Sequence, residues 1–397
     1  MLKGKTIVLG ITGSIAAYKM ANLTSMLVKQ HADIHVIMTQ NATHFINPIT
    51  FETLTNHKCL VDTFDRNFQY NVEHVALAKK ADLFLVAPAS ANIIGKIANG
   101  IADDMLSTTI MACKAPKLIA PAMNTNMFEN PIVQDNLSKL KHFGYEIIQP
   151  AVGYLACGDT GAGKLPSEEY LMAHIMKHLH YEKDLLGKKV LVTAGPTVES
   201  IDPVRFISNH STGKMGYAIA KCAMERGADV ILITGPTSLK APDFVTVIPI
   251  QSAKEMFEQV KAHMSNADFI IKAAAVADYT PVHTSNEKIK KSDEDMSISL
   301  KRTDDILQYI GTHKREGQVL CGFAMETQDL IAHAQKKLEK KHADMIVANN
   351  LKVAGAGFGT DTNVVTLIKS KEIKEFPLLS KDDVAKMILD EMLSFLA

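Results

Sequence analysis

The sequence has no excess charge of either sign: Lys+Arg 43 offsets Asp+Glu 43 in 397 residues. No global positive field exists to hold nucleic acid or an anionic membrane, although a local basic cluster can still grip a phosphate. No apolar run approaches the roughly 20 residues needed to cross a bilayer. The N-terminal stretch, Met1 to Gly10, passes from a strand-like run into a glycine turn. It lacks the long apolar core and small-residue cleavage site of a secretory leader. The five cysteines (Cys59, Cys113, Cys157, Cys222, Cys321) are odd in number, widely spaced and form no CxxC pair. That argues against a disulfide framework and a zinc site, and for a reducing cytoplasm. Hydrophobic content of 47% and charged content of 22% are those of a globular protein, and the length fits two or three domains.

What is present is a pattern that restarts. Gly4-Lys5 leads into Ile7-Val8-Leu9 and Gly10; Gly187-Lys188 leads into Val190-Leu191-Val192 and Gly195. An amphipathic stretch follows each. Ala-Asp-started apolar runs then appear twice in each half, at Ala32 and Ala81, and at Ala228 and Ala267. Short continuous apolar runs alternating with helices read as buried parallel strands. The expected fold is α/β: two doubly wound Rossmann-like domains over 1–180 and 187–397, joined through the charged stretch His178–Gly187. Between Gly187 and Asp229 the second half carries 13 more residues than the first does between Gly4 and Asp33. Ligands of open α/β sheets bind at the carboxyl ends of strands, so this insertion sits where a ligand loop belongs.

In the first half, Gly10-Ile11-Thr12-Gly13-Ser14-Ile15 joins strand to helix. Gly13 permits a tight turn, and Ser14 is placed to cap the helix and meet a phosphate at its positive end. The dinucleotide pattern GxGxxG fails because Thr12 holds the central glycine position; a mononucleotide fits better. Thr39, Pro88-Ala89-Ser90-Ala91-Asn92 and Pro121-Ala122-Met123-Asn124 close later strands at the same sheet edge. Small residues there let a flat ring lie close, and amides can satisfy its donors and acceptors.

The segment Gly10 to about Leu165 resembles the homo-oligomeric flavin-containing cysteine decarboxylases, which implies a flavodoxin-like fold for the first domain. The resemblance rests on Gly-x-x-Gly-Ser-Ile, an isolated His74, Pro-Ala-Ser-Ala-Asn at 88–92, Pro-Ala-Met-Asn-x-x-Met at 121–127 and Ala-Cys-Gly at 156–158. It implies FMN held by Gly13, Ser14, Ile15, Thr39, Ser90, Ala91, Asn92, Ile93 and Ala122. It also implies three catalytic residues: His74 for acid–base work, Asn124 for the substrate carboxylate, Cys157 as proton donor on a glycine-rich flap. A cysteine carboxylate has no electron sink of its own. Oxidation at the carbon bearing sulfur creates one, and a flavin provides that oxidation. Two departures are Phe128 for a common Trp and Lys164 for the usual Arg, which keeps the charge and loses the planar fork.

In the second half, Ser208-Asn209-His210-Ser211-Thr212-Gly213-Lys214-Met215-Gly216 precedes a helix expected to begin at Tyr217. Hydroxyls, glycines and a lysine at a helix start form a phosphate cradle, although no Walker A motif is present. Ala273-Ala274-Ala275-Val276-Ala277-Asp278 ends a strand, and Lys288-Ile289-Lys290-Lys291 is a basic loop.

With Thr-Ala-Gly-Pro-Thr at 193–197 and Gly-Phe-Ala-x-Glu-Thr at 322–327, this half resembles the phosphopantothenate–cysteine ligases. The resemblance implies CTP and Mg²⁺, with Asn209 aiding acyl-cytidylate formation and Lys288 stabilising its charge. The matching CTP contacts are Asp278, Lys288, Asp304, Asp305, Ile306, Leu307, Phe323, Lys337 and Lys341. Arg302-Thr303-Asp304-Asp305 replaces a Lys-Asn-Pro-Asp run, so the local turn is expected to differ. No metal ligands are assignable.

The ligase product, phosphopantothenoylcysteine, is the decarboxylase substrate, so the expected overall product from 4'-phosphopantothenate, L-cysteine and CTP is phosphopantetheine. The family resemblance implies trimeric decarboxylase contacts and dimeric ligase contacts, combining into a homo-oligomer, a dodecamer. A flavin-binding regulatory protein without catalysis is disfavoured by His74, Asn124 and Cys157 occurring together. A flavin prenyltransferase is disfavoured by the Ala-Cys-Gly flap and the attached second half.

Overall fold

The computed structural model describes residues 1–64, 72–155, 158–291, 295–326, 330–350, 357 and 359–396. The chain divides into two compact units, Met1–Glu182 and Lys183–Ala397.

The first unit is built on β1 (Thr6–Ile11), β2 (Asp33–Met38), β3 (Leu83–Ala89), β4 (Lys117–Pro121) and β5 (Glu146–Ile147), in the order β2-β1-β3-β4-β5. Every pairing in this sheet is parallel. That is the flavodoxin-like winding, whose switch point lies between β1 and β3. The helices are α1 (Lys19–Lys29), α2 (Pro48–Thr55), α3 (Glu73–Lys80), α4 (Ala91–Ala98), α5 (Met105–Ala112), α6 (Thr125–Glu129), α7 (Pro131–His142) and α8 (Glu168–Leu179). A hairpin of β6 (Ala151–Tyr154) and β7 (Thr160–Lys164) stands apart from the sheet.

Alternation along the strands sends residues to opposite faces. Ile7, Leu9, Leu83 and Leu85 join one core cluster, while Val8, Phe84 and Val86 join another. Both faces of the sheet are therefore dry, which is why its strands read as unbroken apolar runs. Strand β3 extends further than the apolar run implied, through Pro88 to Ala89, because Ala89 pairs with Pro121 beyond an irregularity.

At the outer rim, Glu146 is clasped by two rings of α8. His174 Nδ1 lies 2.6 Å from Oε1 and His178 Nε2 lies 2.7 Å from Oε2. Burial alone would raise the Glu146 carboxyl, but the two histidine hydrogen bonds outweigh it and hold it well below the usual range. A carboxylate depressed in the folded state contributes stability that is present above its unfolded pKa and is lost as acid protonates it. Glu146→Gln is expected to cost about 1–3 kcal/mol at pH 7. It should also flatten the acid limb of stability in urea melts between roughly pH 5 and 3. An unchanged acid limb would refute the assignment.

A second charged group sits on the edge strand. Asp33 meets His57 Nε2 at 2.7 Å and the Lys80 ammonium at 2.6 Å, and His35 stacks on His57 with ring centroids 4.3 Å apart. The Lys80 ammonium also lies 3.2 Å from His35 Nε2 and already pairs with the Asp33 carboxylate that a cation shared by Asp33, His35 and His57 would use.

The second unit has an eight-stranded sheet. In chain order its strands and their neighbours are β8 (Lys189–Ala194), β9 (Val198–Ser200), β10 (Phe206–Ser208), β11 (Asp229–Thr234), β12 (Thr246–Pro249), β13 (Phe269–Lys272), β14 (Tyr279–Pro281), β15 (Leu300–Arg302), β16 (Val319–Glu326), β17 (Met345–Asn350), β18 (Thr362–Asn363), β19 (Val365–Lys369), β20 (Ile373–Glu375) and β21 (Leu379–Ser380). The sheet order is β12-β11-β8-β13-β16-β17-β19-β20, a Rossmann winding extended by two strands added through antiparallel pairings. Its helices are α9 (Lys214–Glu225), α10 (Ala253–His263), α11 (Ile306–His313), α12 (Leu330–Lys340) and α13 (Lys381–Leu393). The 13-residue insertion forms the antiparallel hairpin β9–β10.

Two sequence expectations are corrected. Helix α9 starts at Lys214, not Tyr217, because Gly213 takes φ +80° as its N-cap and puts Lys214-Met215-Gly216 into the first turn. The stretch between units is shorter than expected, since α8 runs through His178 to Leu179.

Candidate functional sites

In the first unit the carboxyl ends of β1 to β4 gather the residues singled out above. Ser14 caps a short 3-10 turn, Ile15–Tyr18, and accepts the Ala16 N–H at 3.3 Å. Gly13 has no room for a side chain: an added Cβ would lie 2.8 Å from the Asn41 Cβ. Ser90 caps α4 at Ile93 N. Ala91 and Asn92 follow it in the first turn, Ile93 is buried beneath, and Ala122 is buried at the end of β4.

Thr12, whose size argues against a dinucleotide, has a structural task. Its hydroxyl donates to Pro88 O at 2.6 Å and accepts from Ser90 N at 2.9 Å, tying the ends of β1 and β3 together. A side chain spanning 76 residues of sequence leaves no local signal.

These residues fit a flavin mononucleotide. The Thr39 hydroxyl at the end of β2 is buried without a hydrogen-bond partner, as a ligand-facing hydroxyl would be. The Gly13-Ser14 turn is kept tight by the packing of Gly13 on Asn41, at the same sheet edge.

Asn124 caps α6. Its Oδ1 accepts from Asn126 N at 2.9 Å, and its Nδ2 donates to Asp159 Oδ2 at 3.1 Å. The β6–β7 hairpin lies on the same loop through Met123 N to Gly163 O at 3.0 Å. Asp159, a partner the sequence reading missed, closes the hairpin tip by accepting from Leu155 N through its carbonyl. Cys157, together with Ala156, lies outside the described residues. The other four cysteines are buried and free, with burial first among the causes that push Cys59 and Cys222 up to about 12. Such thiols stay protonated and inert. His74 sits in the first turn of α3, half-buried. No described hydrogen bond joins it to Asn124 or the hairpin.

In the second unit, the loop after β8 is laced to the loop after β13. Thr193 Oγ1 accepts from Ala274 N, Ala275 N donates to Gly195 O at 3.0 Å, and Thr197 Oγ1 accepts from Ala277 N at 3.0 Å. This explains the residue types: the threonines stitch two strand ends, and small alanines keep the backbone accessible. Asn209, just past β10, donates from Nδ2 to Ala275 O at 2.9 Å. Gly216 lets α9 press on β8, since a Cβ there would lie 2.6 Å from the Ala194 Cβ.

Two cavities open at this edge. One, of about 460 Å³, is lined by Asp278, Asp304, Asp305, Ile306, Leu307, Phe323, Lys337 and Lys341, eight of the nine residues expected to contact the nucleotide. The other, of about 470 Å³, has Asn209 and the Ser211–Gly216 loop on its wall. Lys337 Nζ donates to Phe323 O at 2.8 Å, and Lys341 pairs with Asp305. Asp305 also caps α11 at Gln308 N, 2.9 Å. Burial works against its ionisation, but Lys341 and the Gln308 N–H outweigh that and hold its carboxyl low. The missing proline is compensated by Thr303, whose N–H reaches Asp278 O at 3.0 Å and whose hydroxyl reaches Ala277 O at 2.6 Å.

Lys288 is the exception. It is exposed on a loop and lines neither cavity. That loop is held through Ile289 N to the buried Asp202 carboxylate, 3.1 Å away. Lys272, not singled out by the sequence reading, lines both cavities.

A flavin cradle on one unit and a nucleotide-sized double cavity on the other define a flavoprotein joined to a nucleotide-dependent enzyme. Comparison with known proteins agrees. The Flavoprotein family model matches residues 1–180, and that of the DNA/pantothenate metabolism flavoprotein C-terminal domain matches residues 185–396. The chain is 50% identical over 396 residues to the coenzyme A biosynthesis bifunctional protein CoaBC of Bacillus subtilis (strain 168), covering 99% of this chain and 97% of that protein. It is 44% identical over 391 residues to the protein of the same name from Borreliella burgdorferi, covering 98% and 99%. A cysteine/cysteine sulfinic acid decarboxylase of an unknown prokaryotic organism is 45% identical over 355 residues, covering 88% of this chain and 99% of that protein. Among solved structures, the C-terminal domain of a CoaBC is 46% identical, with a TM-score of 0.46, covering 53% of this chain and 97% of that one. The chain belongs to the CoaBC family of bifunctional coenzyme A biosynthesis enzymes, which combine phosphopantothenoylcysteine decarboxylase and phosphopantothenate–cysteine ligase activities. No helix among the described residues is long and apolar enough to cross a membrane.

Proposed function

We propose that the second unit joins cysteine to 4'-phosphopantothenate through an acyl-cytidylate made from CTP, and that the first unit decarboxylates the product with FMN. The carrying observation is that the nucleotide contacts expected from sequence, Lys288 apart, line one cavity. Phe323 offers a face for the base, and Lys337 and Lys341 offer charge for the phosphates. Asn209, on the adjoining cavity, is suited to the pantothenate carboxylate as it attacks the α-phosphate. Asp278 and Asp304 are the carboxylates that would hold a Mg²⁺, whose charge would offset that of the triphosphate. Lys288 acts on the intermediate only if its loop moves toward the cavity, within the subunit or across a ligase dimer.

FMN, when bound, supplies reversible hydride transfer at the carbon bearing sulfur. Ser14, Thr39, Ser90 to Ile93 and Ala122 are the residues that would hold it. Asn124, fixed by Asp159, orients the substrate carboxylate. Cys157 would give the proton that precedes the final reduction. Exposed apolar Ile15 and Tyr18 beside the flavin turn support a trimer, with His74 reaching the site from the adjacent subunit. Ligase dimerisation would complete a dodecamer in the cytoplasm.

The test is the product mixture from 4'-phosphopantothenate, cysteine, CTP and Mg²⁺. Phosphopantetheine and carbon dioxide are expected. The cysteine adduct alone would leave the first unit inactive. Equal turnover with ATP would overturn the CTP assignment. Carbon dioxide from free cysteine would place the first unit with the cysteine decarboxylases.

A further inference from the structure

The two cavities of the second unit share a wall. Lys272, Asp278, Phe323 and Lys337 line both, whereas Asp305 and Lys341 belong only to the first and Asn209 only to the second. If the nucleotide fills one and the pantothenate arm the other, carboxylate and α-phosphate meet at that wall. Reaction requires them within roughly 3–3.5 Å of each other. Two anions brought so close repel, and a cation there lowers the barrier.

Lys272 is the last residue of β13, at the centre of the sheet. Its single described hydrogen bond runs to Ala274 O at 2.9 Å, so one of its three N–H groups is used to aim it. We infer that Lys272 is a charge-stabilising catalytic residue of the ligase reaction, its ammonium holding a non-bridging α-phosphate oxygen. The carboxylate oxygen bonds to phosphorus while the bond from phosphorus to pyrophosphate breaks. The electron pair leaves with pyrophosphate, and Lys272 gives up no proton. This role rests on the nucleotide-dependent ligation proposed above.

The surroundings give the role a signature. Burial first, then the neighbouring charge of Lys337, lower the Lys272 ammonium to about 8, with Asp305 and Asp278 partly opposing. A lysine lowered in this way is charged below that pH and neutral above it. The free-enzyme profile of kcat/KM should therefore fall as pH rises through about 8. Pyrophosphate–CTP exchange with phosphopantothenate, without cysteine, isolates this step. It removes the titration of the cysteine amine and thiol, and the phosphate ionisations lie near 6.

In the full-length flavoprotein, Lys272→Met should lower kcat/KM for exchange ~30–300-fold. Decarboxylation of synthetic phosphopantothenoylcysteine should stay within two-fold of the parent. Lys272→Arg should keep exchange within ~10-fold and move the alkaline limb above pH 10, since guanidinium does not titrate there. Exchange by the parent together with a Met variant within ~3-fold of it would overturn the inference. So would an Arg variant that keeps the parent's limb. Absence of exchange in the parent itself would instead overturn the ligation reading.

Discussion

Replacing Gly163 by alanine is expected to abolish decarboxylation and leave ligation untouched. Gly163 has φ +116°, a region that L side chains rarely adopt, and an added Cβ would lie 2.3 Å from the Met123 carbonyl oxygen. Backbone cannot give way there as a flexible side chain would. The same pair of residues ties the hairpin to this loop, since Met123 N donates to Gly163 O at 3.0 Å. Pushing β7 off this loop breaks the Asn124–Asp159 bond and draws the flap away from the substrate carboxylate. A displacement of about 1 Å at a reacting centre costs on the order of 10²-fold. Carbon dioxide release from phosphopantothenoylcysteine should fall at least that far. Bound FMN and pyrophosphate release in the ligase assay should persist. A variant with more than a tenth of parental decarboxylation would show that the hairpin does not position the site.

Asn209→Ala is expected to stop the ligase. The Asn209 Nδ2 spends one hydrogen bond on Ala275 O, which fixes the amide on the cavity wall. Alanine removes both the polar group and its anchor. Losing one fixed donor to a developing charge costs roughly 10²–10³-fold in rate. Pyrophosphate release with phosphopantothenate and CTP should drop by that factor. Carbon dioxide release from supplied phosphopantothenoylcysteine should be unchanged. If pyrophosphate is still released at the parental rate and only cysteine addition fails, Asn209 serves the second half-reaction instead.

Repetition made the two windings readable. The apolar runs at Ile7 and Val190 are buried on both faces, so they carry no polar interruption and stand out. Motif residues at strand ends were also legible, because glycine, serine and asparagine there answer to local turn and cap geometry. Gly213 misled about the start of α9: a residue of positive φ reads as a break, yet here it serves as the cap itself. Long-range ties stayed hidden. Nothing near Thr12 points to Pro88, and nothing near Asn124 points to Asp159. Lys272 stands in the sequence as the polar end of an apolar strand, and only the meeting of two cavities on its side chain distinguishes it. Lys288 marks the opposite limit, a residue legible by motif whose exposed position gives it no partner cavity.

The charged network on β2 has a consequence for life at high concentration. Strand β2 ends its sheet, and among the described residues its outer side is met only at Val36 to Met38, by Leu60. An intruding strand would have to lie beside Asp33 and its charged partners His57 and Lys80. Charged side chains, lysine above all, on an edge strand disfavour stacking into fibrils, so the rim acts as a guard against runaway self-association.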